Sequence, residues 1–251
     1  MTLDPKADNA PSSPPAAAPE RGAVGWALDW LKSLAFALVI WLILRTFVFE
    51  AFRIPSQSME QTLLVGDFLF VNKAVYGAEV PLVHRRLPEF REPARGDVVI
   101  FDSVEEAEKK IVKRLVGIAG DTLEMRRGVL YRNGSALEET YAVRDGTPHS
   151  ESPDARSQMR AWQVSHFVGR DPDTYWPDLN DWGPLVVPHD SLFMMGDNRD
   201  SSYDGRYWGF LPRANVRGTP MFVYYSYDPD TDKPVPFLSN IRWGRFFHAP
   251  R

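Results

Sequence analysis

Two serines that could act as nucleophiles, Ser56 and Ser58, stand one residue apart in the segment from Arg53 to Leu63 (RIPSQSMEQTL). Pro55 favours an extended backbone ahead of them, and a turn is expected to begin at Ser58. A serine hydroxyl held on a turn attacks a carbonyl carbon once a base removes its proton. The alternative is that these serines cap a short helix or close a turn, which is the commoner role of a serine judged on residue type alone.

A lysine inside an apolar strand is the candidate for that base. The segment from Ile111 to Val116 (IVKRLV) alternates so that Lys113 shares a face with aliphatic residues and Arg114 lies on the other face. Burial disfavours the ammonium form, so such a lysine can be neutral and accept a proton, whereas an arginine stays charged. The alternative is a half-buried strand whose lysine extends its amine to solvent.

A polar loop from Met195 to Gly209 (MGDNRDSSYDGRYWG) is the third segment that could carry chemistry. Asp197, Asn198 and Asp200 could bind a metal ion, but their spacing is not that of a calcium-binding loop. The sequence also has no G-x-S-x-G, H-E-x-x-H or Walker motif. The five histidines are scattered, so no Ser-His-Asp arrangement is indicated.

The composition of the 251 residues excludes several other classes of function. There is no cysteine, which excludes disulfides, thiolate metal sites and a cysteine nucleophile. Lys and Arg number 29 against 33 Asp and Glu, a net charge of −4 that does not favour nucleic acid as a partner. Covalent catalysis would therefore use Ser, Thr, Lys or a carboxylate.

The elements that must position these residues are mainly strands. Six apolar runs of strand length are rich in β-branched or aromatic residues: Phe68–Val71, Asp97–Phe101, Ile111–Gly117, Val129–Tyr131, Leu192–Met195 and Met221–Tyr225. Turn signals separate them at Gly66-Asp67, Arg95-Gly96-Asp97, Ala119-Gly120-Asp121 and Asn133-Gly134. Residues 140 to 188 are rich in Asp, Pro, Ser and Trp and are interpreted as a loop-rich insertion.

The N-terminal part divides into a tail and an apolar segment. Residues 1 to 25 are predicted to be disordered, and residues 26 to 50 are predicted to be a transmembrane helix whose centre, Leu34–Leu44, has no polar side chain. A cleavable signal peptide is disfavoured because bulky residues follow Leu44, and a buried core helix is the other alternative. Lys and Arg on the two flanks balance, so charge does not set the orientation.

Taken together, these segments resemble type I signal peptidases, the leader peptidases, which are membrane-anchored serine proteases. Five blocks carry the resemblance in order: the apolar segment ending Arg45-Thr-Phe, Ile54–Met59, Arg95–Phe101, Lys113–Asp121 and Gly196–Phe210. The resemblance implies a mainly β, antiparallel-sheet catalytic domain at residues 51 to 251 behind an N-terminal transmembrane helix. It also implies a single-pass protein of the bacterial inner (cytoplasmic) membrane, with the catalytic domain on the extracytoplasmic side.

The same resemblance implies roles for individual residues. Ser58 would be the nucleophile and Lys113 the general base. Ser56 would complete the oxyanion hole with the backbone N–H of Ser58. Ser202 would orient the Lys113 amine, and the supporting residues Asp204 and Arg206 would hold their loop. No metal and no cofactor are expected.

The implied substrate is the signal peptide of an exported preprotein, in an extended conformation, with small residues at the first and third positions before the cut. The residues expected to bind it are Phe52, Ile54, Pro55, Met59, Ile100 and Val112, and several of these could equally be ordinary core residues. The lipid bilayer is the second expected partner, and Trp243, Phe246 and Phe247 either enter its interface or pack on the core.

Two positions depart from the family pattern, and two other functions remain open. Gln61 stands where Pro is usual, and Ile111 stands where an aromatic residue is common. These departures affect the turn after the nucleophile and the lining of the substrate groove. The alternatives are another Ser-Lys protease of the self-processing type and a membrane-anchored β domain that binds peptides without cleaving them.

Overall fold

An N-terminal helix and a set of antiparallel sheets make up the described chain. The computed structural model describes residues 23–80, 83, 85–106, 109–144, 153–169 and 171–250. The chain divides into two compact units, Met1–Leu42 and Ile43–Arg251. Most of the predicted disordered tail, residues 1 to 22, lies outside the described residues, and residues 23 to 25 belong to the helix.

Helix α1 spans Ala23–Phe47. Its stretch Val24–Phe47 has 24 residues with a mean hydropathy of 1.9, and none of its most apolar 18-residue window is buried. A core helix would bury one face, so this exposure favours the membrane segment over the core-helix alternative. The helix is shifted from the expected residues 26 to 50, because the next strand already begins at Phe49.

Thirteen strands and three further helices follow among the described residues. The strands are β1 Phe49–Arg53, β2 Asp67–Asn72, β3 Glu79–Val80, β4 Arg85–Arg86, β5 Val98–Asp102, β6 Lys110–Ile118, β7 Thr122–Arg126, β8 Val129–Arg132, β9 Ser135–Ala136, β10 Trp182–Val186, β11 Ser191–Met195, β12 Leu211–Pro212 and β13 Val216–Ser226. The helices are α2 Pro153–Gln163, α3 Gly205–Trp208 and α4 Pro236–Ser239. All six strands expected from the sequence are present, which confirms a mainly β fold.

The largest sheet has seven strands in the order β1-β2-β13-β5-β6-β11-β12. A second sheet has the order β10-β7-β8-β9, and β3 pairs with β4 alone. Every strand pair is antiparallel. The turn Asn133-Gly134 joins β8 to β9 with φ of 53° and 80°, the left-handed conformation that favours these two residue types in a tight hairpin.

Strand β6 carries the candidate base and is buried on both faces. Val112, Leu115 and Val116 each belong to a different buried cluster of apolar residues. Lys113 is only 3% exposed and Arg114 only 2%. Simple alternation predicted that one of these two cations would lie among aliphatic neighbours, and the structure buries both because apolar layers cover each face of the strand.

The described part of the segment from 140 to 188 includes a helix and a strand. It contains helix α2, and its strand β10 pairs with β7 in the four-stranded sheet. Trp182 and Leu185 of β10 are 3% and 0% exposed, and Met159 of α2 is 0% exposed. Because the segment is rich in Asp and Pro, these apolar residues were not predicted to be core residues. They form one of the buried clusters together with Phe193.

Candidate active site

The turn that carries Ser58 lies between β1 and β2. Ser56 is extended, with φ of −135° and ψ of 160°, and the chain then forms one turn of 3₁₀ helix over Gln57–Met59. Met59 is fully buried and anchors the turn in the core. Ser56 occupies the position of a helix cap, but its hydroxyl makes no capping hydrogen bond. The simple capping role considered for this serine is therefore not what the structure shows.

Lys113 reaches this turn from the middle of β6. It pairs with Val99 of β5, and its Nζ donates a hydrogen bond to Ser58 Oγ at 2.6 Å. Ser58 is 7% exposed. Burial lowers the pKa of Lys113 from 10.5 to about 8, an effect that the Arg206 charge reinforces and the Asp204 charge opposes. The amine is thus far easier to deprotonate than a lysine in water.

A second hydroxyl and a backbone N–H lie beside the Ser58 hydroxyl. The Ser56 and Ser58 hydroxyl oxygens are 3.4 Å apart. The first hydrogen bond of the 3₁₀ turn runs from the Glu60 N–H to the Gln57 carbonyl, so the Ser58 N–H precedes it in the turn. N–H groups at the start of a helical turn have no partner within it and can donate to an anion.

The loop after β11 is held by a buried ion pair. Asp204 caps helix α3, accepts a hydrogen bond from the Gly196 N–H at 2.9 Å and pairs with the Arg206 Nε at 2.9 Å. Both side chains are fully buried. Burial by itself would raise the pKa of Asp204, but the charge and hydrogen bonds of Arg206 outweigh it and lower the pKa. The carboxylate therefore stays charged and paired with Arg206.

Ser202 lies in the same loop, close to the turn that contains Ser58. A Cβ placed on Gly196 would come within 2.2 Å of Ser202 Oγ and 2.5 Å of the Ser58 carbonyl oxygen. Only glycine at this position lets the loop and the turn approach so closely. Ser202 Oγ is buried and makes no hydrogen bond within the described part of the chain. The structure thus leaves the expected contact with the Lys113 amine unmade.

A second buried ion pair was not predicted from the sequence. Arg114 donates to Asp197 from Nε at 2.7 Å and from Nη2 at 2.6 Å, and Thr62 donates to the same carboxylate at 2.5 Å. The guanidinium also lies over the Tyr141 ring, 3.9 Å from its centroid. These bonds connect β6, the segment that follows Ser58 and the loop after β11. The available signal was the second cation in the apolar strand, next to Lys113.

The same contacts bear on the metal site considered for this loop. The Asp197 carboxylate is occupied by Arg114 and Thr62, and the Asn198 side-chain amide donates to Glu60 at 3.1 Å. Within the described ranges no group of three His, Asp or Glu side chains is placed to hold a metal ion. The loop is instead an internal network of hydrogen bonds and ion pairs.

A groove of about 380 Å³ opens at the serine and lysine pair. It is lined by Phe52, Pro55, Ser56, Ser58, Lys109, Lys110, Ile111, Val112, Lys113, Ser201 and Tyr203. Of the expected substrate-binding residues, three are at the groove: Phe52, Pro55 and Val112. The other three, Ile54, Met59 and Ile100, are at most 1% exposed and lie in the buried cluster against which Phe52 packs.

The structure also shows the conformation of Gln61 and the surroundings of Ile111, the two positions that depart from the family pattern. Gln61 has a φ of 73°, a left-handed conformation that the fixed ring of proline cannot adopt. Ile111 lines the groove and packs against the buried cluster that contains Phe101. Sequence reasoning did not identify Lys109, Lys110, Ser201 or Tyr203 as groove residues, because the strand edge and the loop after β11 that carry them are brought together only by tertiary packing.

Comparison with known proteins shows the family of the chain. The family described as "Signal peptidase, peptidase S26" matches residues 27–225. The chain belongs to the signal peptidase family. It is similar to signal peptidase I of Pseudomonas aeruginosa, with 34% identity over 227 residues that cover 85% of this chain and 76% of that protein. It is also similar to signal peptidase I of Bacillus licheniformis, with 35% identity over 201 residues, or 80% of this chain and 89% of that one.

Membership of the signal peptidase family makes the chain a serine endopeptidase and supports the removal of signal peptides from exported preproteins. The bacterial relatives and the apolar N-terminal helix indicate a membrane-anchored protein. Among solved structures, the signal peptidase I of Enterococcus faecalis V583 matches with 30% identity, covering 51% of this chain and 97% of that one at a TM-score of 0.34.

Proposed function

We propose that the chain cuts signal peptides from exported preproteins by a Ser-Lys dyad, with Ser58 as nucleophile and Lys113 as general base. The observation that carries this proposal is the 2.6 Å hydrogen bond between Lys113 Nζ and Ser58 Oγ in a buried setting. The pKa of Lys113, lowered to about 8, leaves an appreciable fraction of neutral amine near neutral pH.

In the first half of the reaction the neutral Lys113 amine takes the Ser58 hydroxyl proton as Oγ attacks the scissile carbonyl carbon. The carbonyl oxygen becomes an oxyanion, which the Ser58 N–H and the Ser56 hydroxyl stabilise. The ammonium of Lys113 then gives its proton to the leaving nitrogen as the C–N bond breaks. The mature protein leaves with a new amino terminus, and the signal peptide remains as an ester on Ser58.

In the second half, water replaces the leaving group. Lys113 removes a proton from a water molecule, and the resulting hydroxide attacks the ester carbon. The same donors stabilise the second oxyanion. When the C–Oγ bond breaks, Lys113 returns the proton to Ser58, and the signal peptide leaves with a free carboxyl group. The proposed cycle uses no metal and no cofactor, since these two side chains supply nucleophile, base and acid.

A strand edge that has no partner among the described strands supports the binding of an extended peptide. Strand β6 pairs with β11 only from Arg114 onward, and its first residues, Lys110 to Lys113, pair with β5 alone among the described strands. A peptide can add to such an edge through backbone hydrogen bonds. Its first and third residues before the cut would then face Phe52 and Val112, where the closely packed apolar surface favours small side chains such as Ala.

The second partner in the proposal is the lipid bilayer. Helix α1 would cross the bacterial inner membrane once and place the catalytic unit on its extracytoplasmic side, where the cleavage points of exported preproteins emerge. Trp243 and Phe247 are 71% and 78% exposed, and Trp243 stacks on Phe246 with ring centroids 5.3 Å apart. Exposed aromatic rings of this kind are suited to the membrane interface.

The decisive experiment incubates the detergent-solubilised chain with a preprotein that carries Ala-x-Ala before its cleavage point, and reads the new amino terminus. We expect the unmodified protein to cut after the second Ala, and Ser58→Ala and Lys113→Ala to lower the rate at least about a thousandfold. Ser135→Ala and Lys233→Ala, at exposed positions remote from the groove, are the matched controls. Normal processing by the Ser58 or Lys113 variant would refute the dyad.

The same assay separates the two alternative functions. A domain that only binds peptides would retain the preprotein without producing a new amino terminus. A self-processing protease would cut its own chain and leave the added preprotein intact. Ser202→Ala tests the orienting role that the family resemblance implies, since Ser202 Oγ makes no hydrogen bond to the Lys113 amine in the structure. A role through the amine would lower kcat roughly tenfold with little change in KM, and an unchanged kcat would remove it.

A further inference from the structure

An ion pair links the two strands that line the groove. Lys110 Nζ of β6 lies 3.3 Å from Glu50 Oε1 of β1, and the two side chains are 33% and 34% exposed. The Nζ of Lys73 lies 3.9 Å from the same carboxylate. The pair is thus partly shielded from water but remains accessible to a ligand.

The strand registers place this ion pair on the same face as Phe52 and Val112. Side chains two residues apart in a strand share a face. Glu50 and Phe52 are two apart in β1, Lys110 and Val112 are two apart in β6, and both strands pair with their neighbours here in unbroken register. Phe52 packs against the buried cluster that contains Val112. One face therefore carries an apolar layer, Phe52 and Val112, followed by a charged layer, Glu50 and Lys110.

The unpaired edge of β6 determines where a bound peptide can lie. Among the described strands, β11 pairs with β6 only from Arg114 onward, which leaves Lys110 to Lys113 open on that side. Lys113 donates to Ser58 Oγ at 2.6 Å, so the scissile bond would be at one end of this open stretch. A peptide that adds to the edge therefore runs from Ser58 past Lys110.

Alternation then determines which substrate residue meets the ion pair. In the proposed binding mode, the first and third residues before the cut face Phe52 and Val112. An extended peptide turns every second side chain to the same face, so the fifth residue is the next one on that side. It lies one layer farther from the cut, at Glu50 and Lys110.

Lys110 also lies at the boundary with a second cavity. It lines both the groove and a cavity of about 330 Å³ that Glu50, Lys73 and Thr46 line as well. Thr46 is in the last turn of α1, the helix proposed to cross the membrane. The substrate segment beyond the fifth residue is thus expected near the end of α1, where the apolar part of a signal peptide would leave the bilayer.

We propose that Glu50 and Lys110 form a subsite that selects a polar side chain at the fifth substrate residue before the cut. This inference rests on the proposed function. A large apolar side chain at that position would remove water from both charges without replacing the lost hydrogen bonds. A serine side chain can instead hydrogen-bond to either partner. The ion pair thereby sets a minimum length for the polar segment between the apolar part of the signal peptide and the cut.

The first test compares two preproteins that have Ala at the first and third positions and either Ser or Leu at the fifth. We expect the full-length, detergent-solubilised protein to favour Ser roughly tenfold in kcat/KM. The double variant Glu50→Leu with Lys110→Leu replaces the ion pair by apolar side chains and should lose this preference. Glu138→Leu with Lys233→Leu changes two exposed residues that line neither cavity and should keep it.

Single-charge variants give a second test that perturbs the groove less. Lys110→Met leaves Glu50 without its nearer cation, and Glu50→Gln leaves the Lys110 charge without its carboxylate. With Lys or Glu at the fifth position, the Lys110→Met protein should shift the ratio of kcat/KM roughly fivefold towards the Lys substrate. Glu50→Gln should shift it towards the Glu substrate by a similar factor. The same charges at the fourth position, which points to the other face, should have a smaller effect.

Each other outcome has a definite meaning. If the unmodified protein cuts the Ser and Leu substrates equally well, or the double variant keeps the Ser preference, the subsite is wrong and the proposed function stands. If the double variant does not fold, the single-charge variants decide. A charge effect that is larger at the fourth residue, or at a residue after the cut, would also overturn the subsite. If the unmodified protein cuts none of the preproteins, the proposed function fails and takes this inference with it.

Discussion

The environment of one amine governs both the proposed catalysis and the local stability. Lys113 lies in an apolar strand, is 3% exposed and has Ser58 Oγ within hydrogen-bond distance of its Nζ. The charged residues that influence its pKa are Asp204, Arg206 and Asp197, whose effects have opposite signs, so burial is the largest cause of the lowered pKa. A lysine base here needs no neighbouring histidine, because desolvation alone favours the neutral form.

The first prediction concerns the pH dependence of cleavage. Only the neutral amine can accept the Ser58 proton, and burial has lowered its pKa to about 8. We therefore expect kcat/KM to rise with pH, to level off above about 8, and to fall about tenfold per pH unit on the acidic side. Measurement with one preprotein between pH 5.5 and 9.5 would contradict the assignment if the rate were flat, or if it continued to rise towards the pKa of an ordinary lysine.

The second prediction concerns stability and uses Lys113→Met. Below pH 8 the amine is protonated in both the folded and the unfolded chain, so the folded state bears the full cost of a buried charge. A pKa lowered from 10.5 to about 8 corresponds to a cost on the order of 3 kcal/mol. The variant should be inactive yet more stable than the unmodified protein at pH 7. The difference should shrink as the pH rises from 8 towards 10.5, where both states become neutral.

Chemical unfolding followed by tryptophan fluorescence at pH 7 and pH 9.5 measures this difference. Lys233→Met, at an exposed position, is the control and should change the free energy of unfolding little at either pH. A Lys113→Met protein that is less stable at pH 7 would show that the hydrogen bond to Ser58 outweighs the cost of burial.

At the scale of elements, the turn that follows Ser58 contains a residue with a left-handed backbone conformation. It follows the 3₁₀ turn Gln57–Met59, and the Leu63 N–H closes onto the Met59 carbonyl at 2.7 Å. Gln61 within it has a φ of 73°, which is unfavourable for a residue that has a Cβ. Buried Met59 and Leu63 on its two sides hold the turn in this conformation.

The third prediction follows from that backbone. Gln61→Gly should raise the free energy of unfolding by about 1 kcal/mol, because glycine adopts a positive φ without steric cost. Gln61→Pro should lower it by more than that, since the ring requires a φ near −65°. Gln61→Ala keeps the Cβ and is the matched control. Denaturant midpoints of the three variants measure the effect, and a proline variant as stable as the unmodified protein would show that the turn has a different backbone.

At the scale of the whole molecule, most of the apolar helix belongs to one unit, and the residues proposed for catalysis belong to the other. The unit Ile43–Arg251 contains all the strands among the described residues, together with Ser58 and Lys113. The unit Met1–Leu42 contributes most of the apolar helix. This helix is long enough and apolar enough to cross a membrane. Anchoring and peptide cleavage are therefore expected to be separable.

The fourth prediction tests this separation with a variant that begins at Ile43. In detergent it should cleave a soluble peptide with a kcat/KM within about threefold of the full-length value, since the proposed groove is intact. It should also be released from membranes by an alkaline wash that leaves the full-length chain in the pellet. A folded but inactive variant would show that the removed residues contribute to catalysis, and one that resists the wash would show that another surface holds the membrane.

Local patterns in the sequence determined much of this protein. Strand-length apolar runs, glycine turns and the apolar N-terminal segment are set by neighbouring residues, so they were predictable without tertiary information. The residue types available for covalent catalysis were narrowed in the same way, because the absence of cysteine left serine, threonine, lysine or a carboxylate. The roles of Ser58 and Lys113 came from a resemblance to a family and stay proposals for this chain.

Only the tertiary structure decided which distant residues meet. Ser58 and Lys113 are 55 positions apart, and their 2.6 Å contact depends on the pairing of β6 with β5 and on the burial of the turn at Met59. The Arg114–Asp197 pair and the unpaired edge of β6 arise in the same way. Short-range periodicity indicates which face of a strand a residue occupies, but long-range packing determines what lies opposite that face. The candidate site residues could therefore be predicted from the sequence, whereas the residues that line the groove could not.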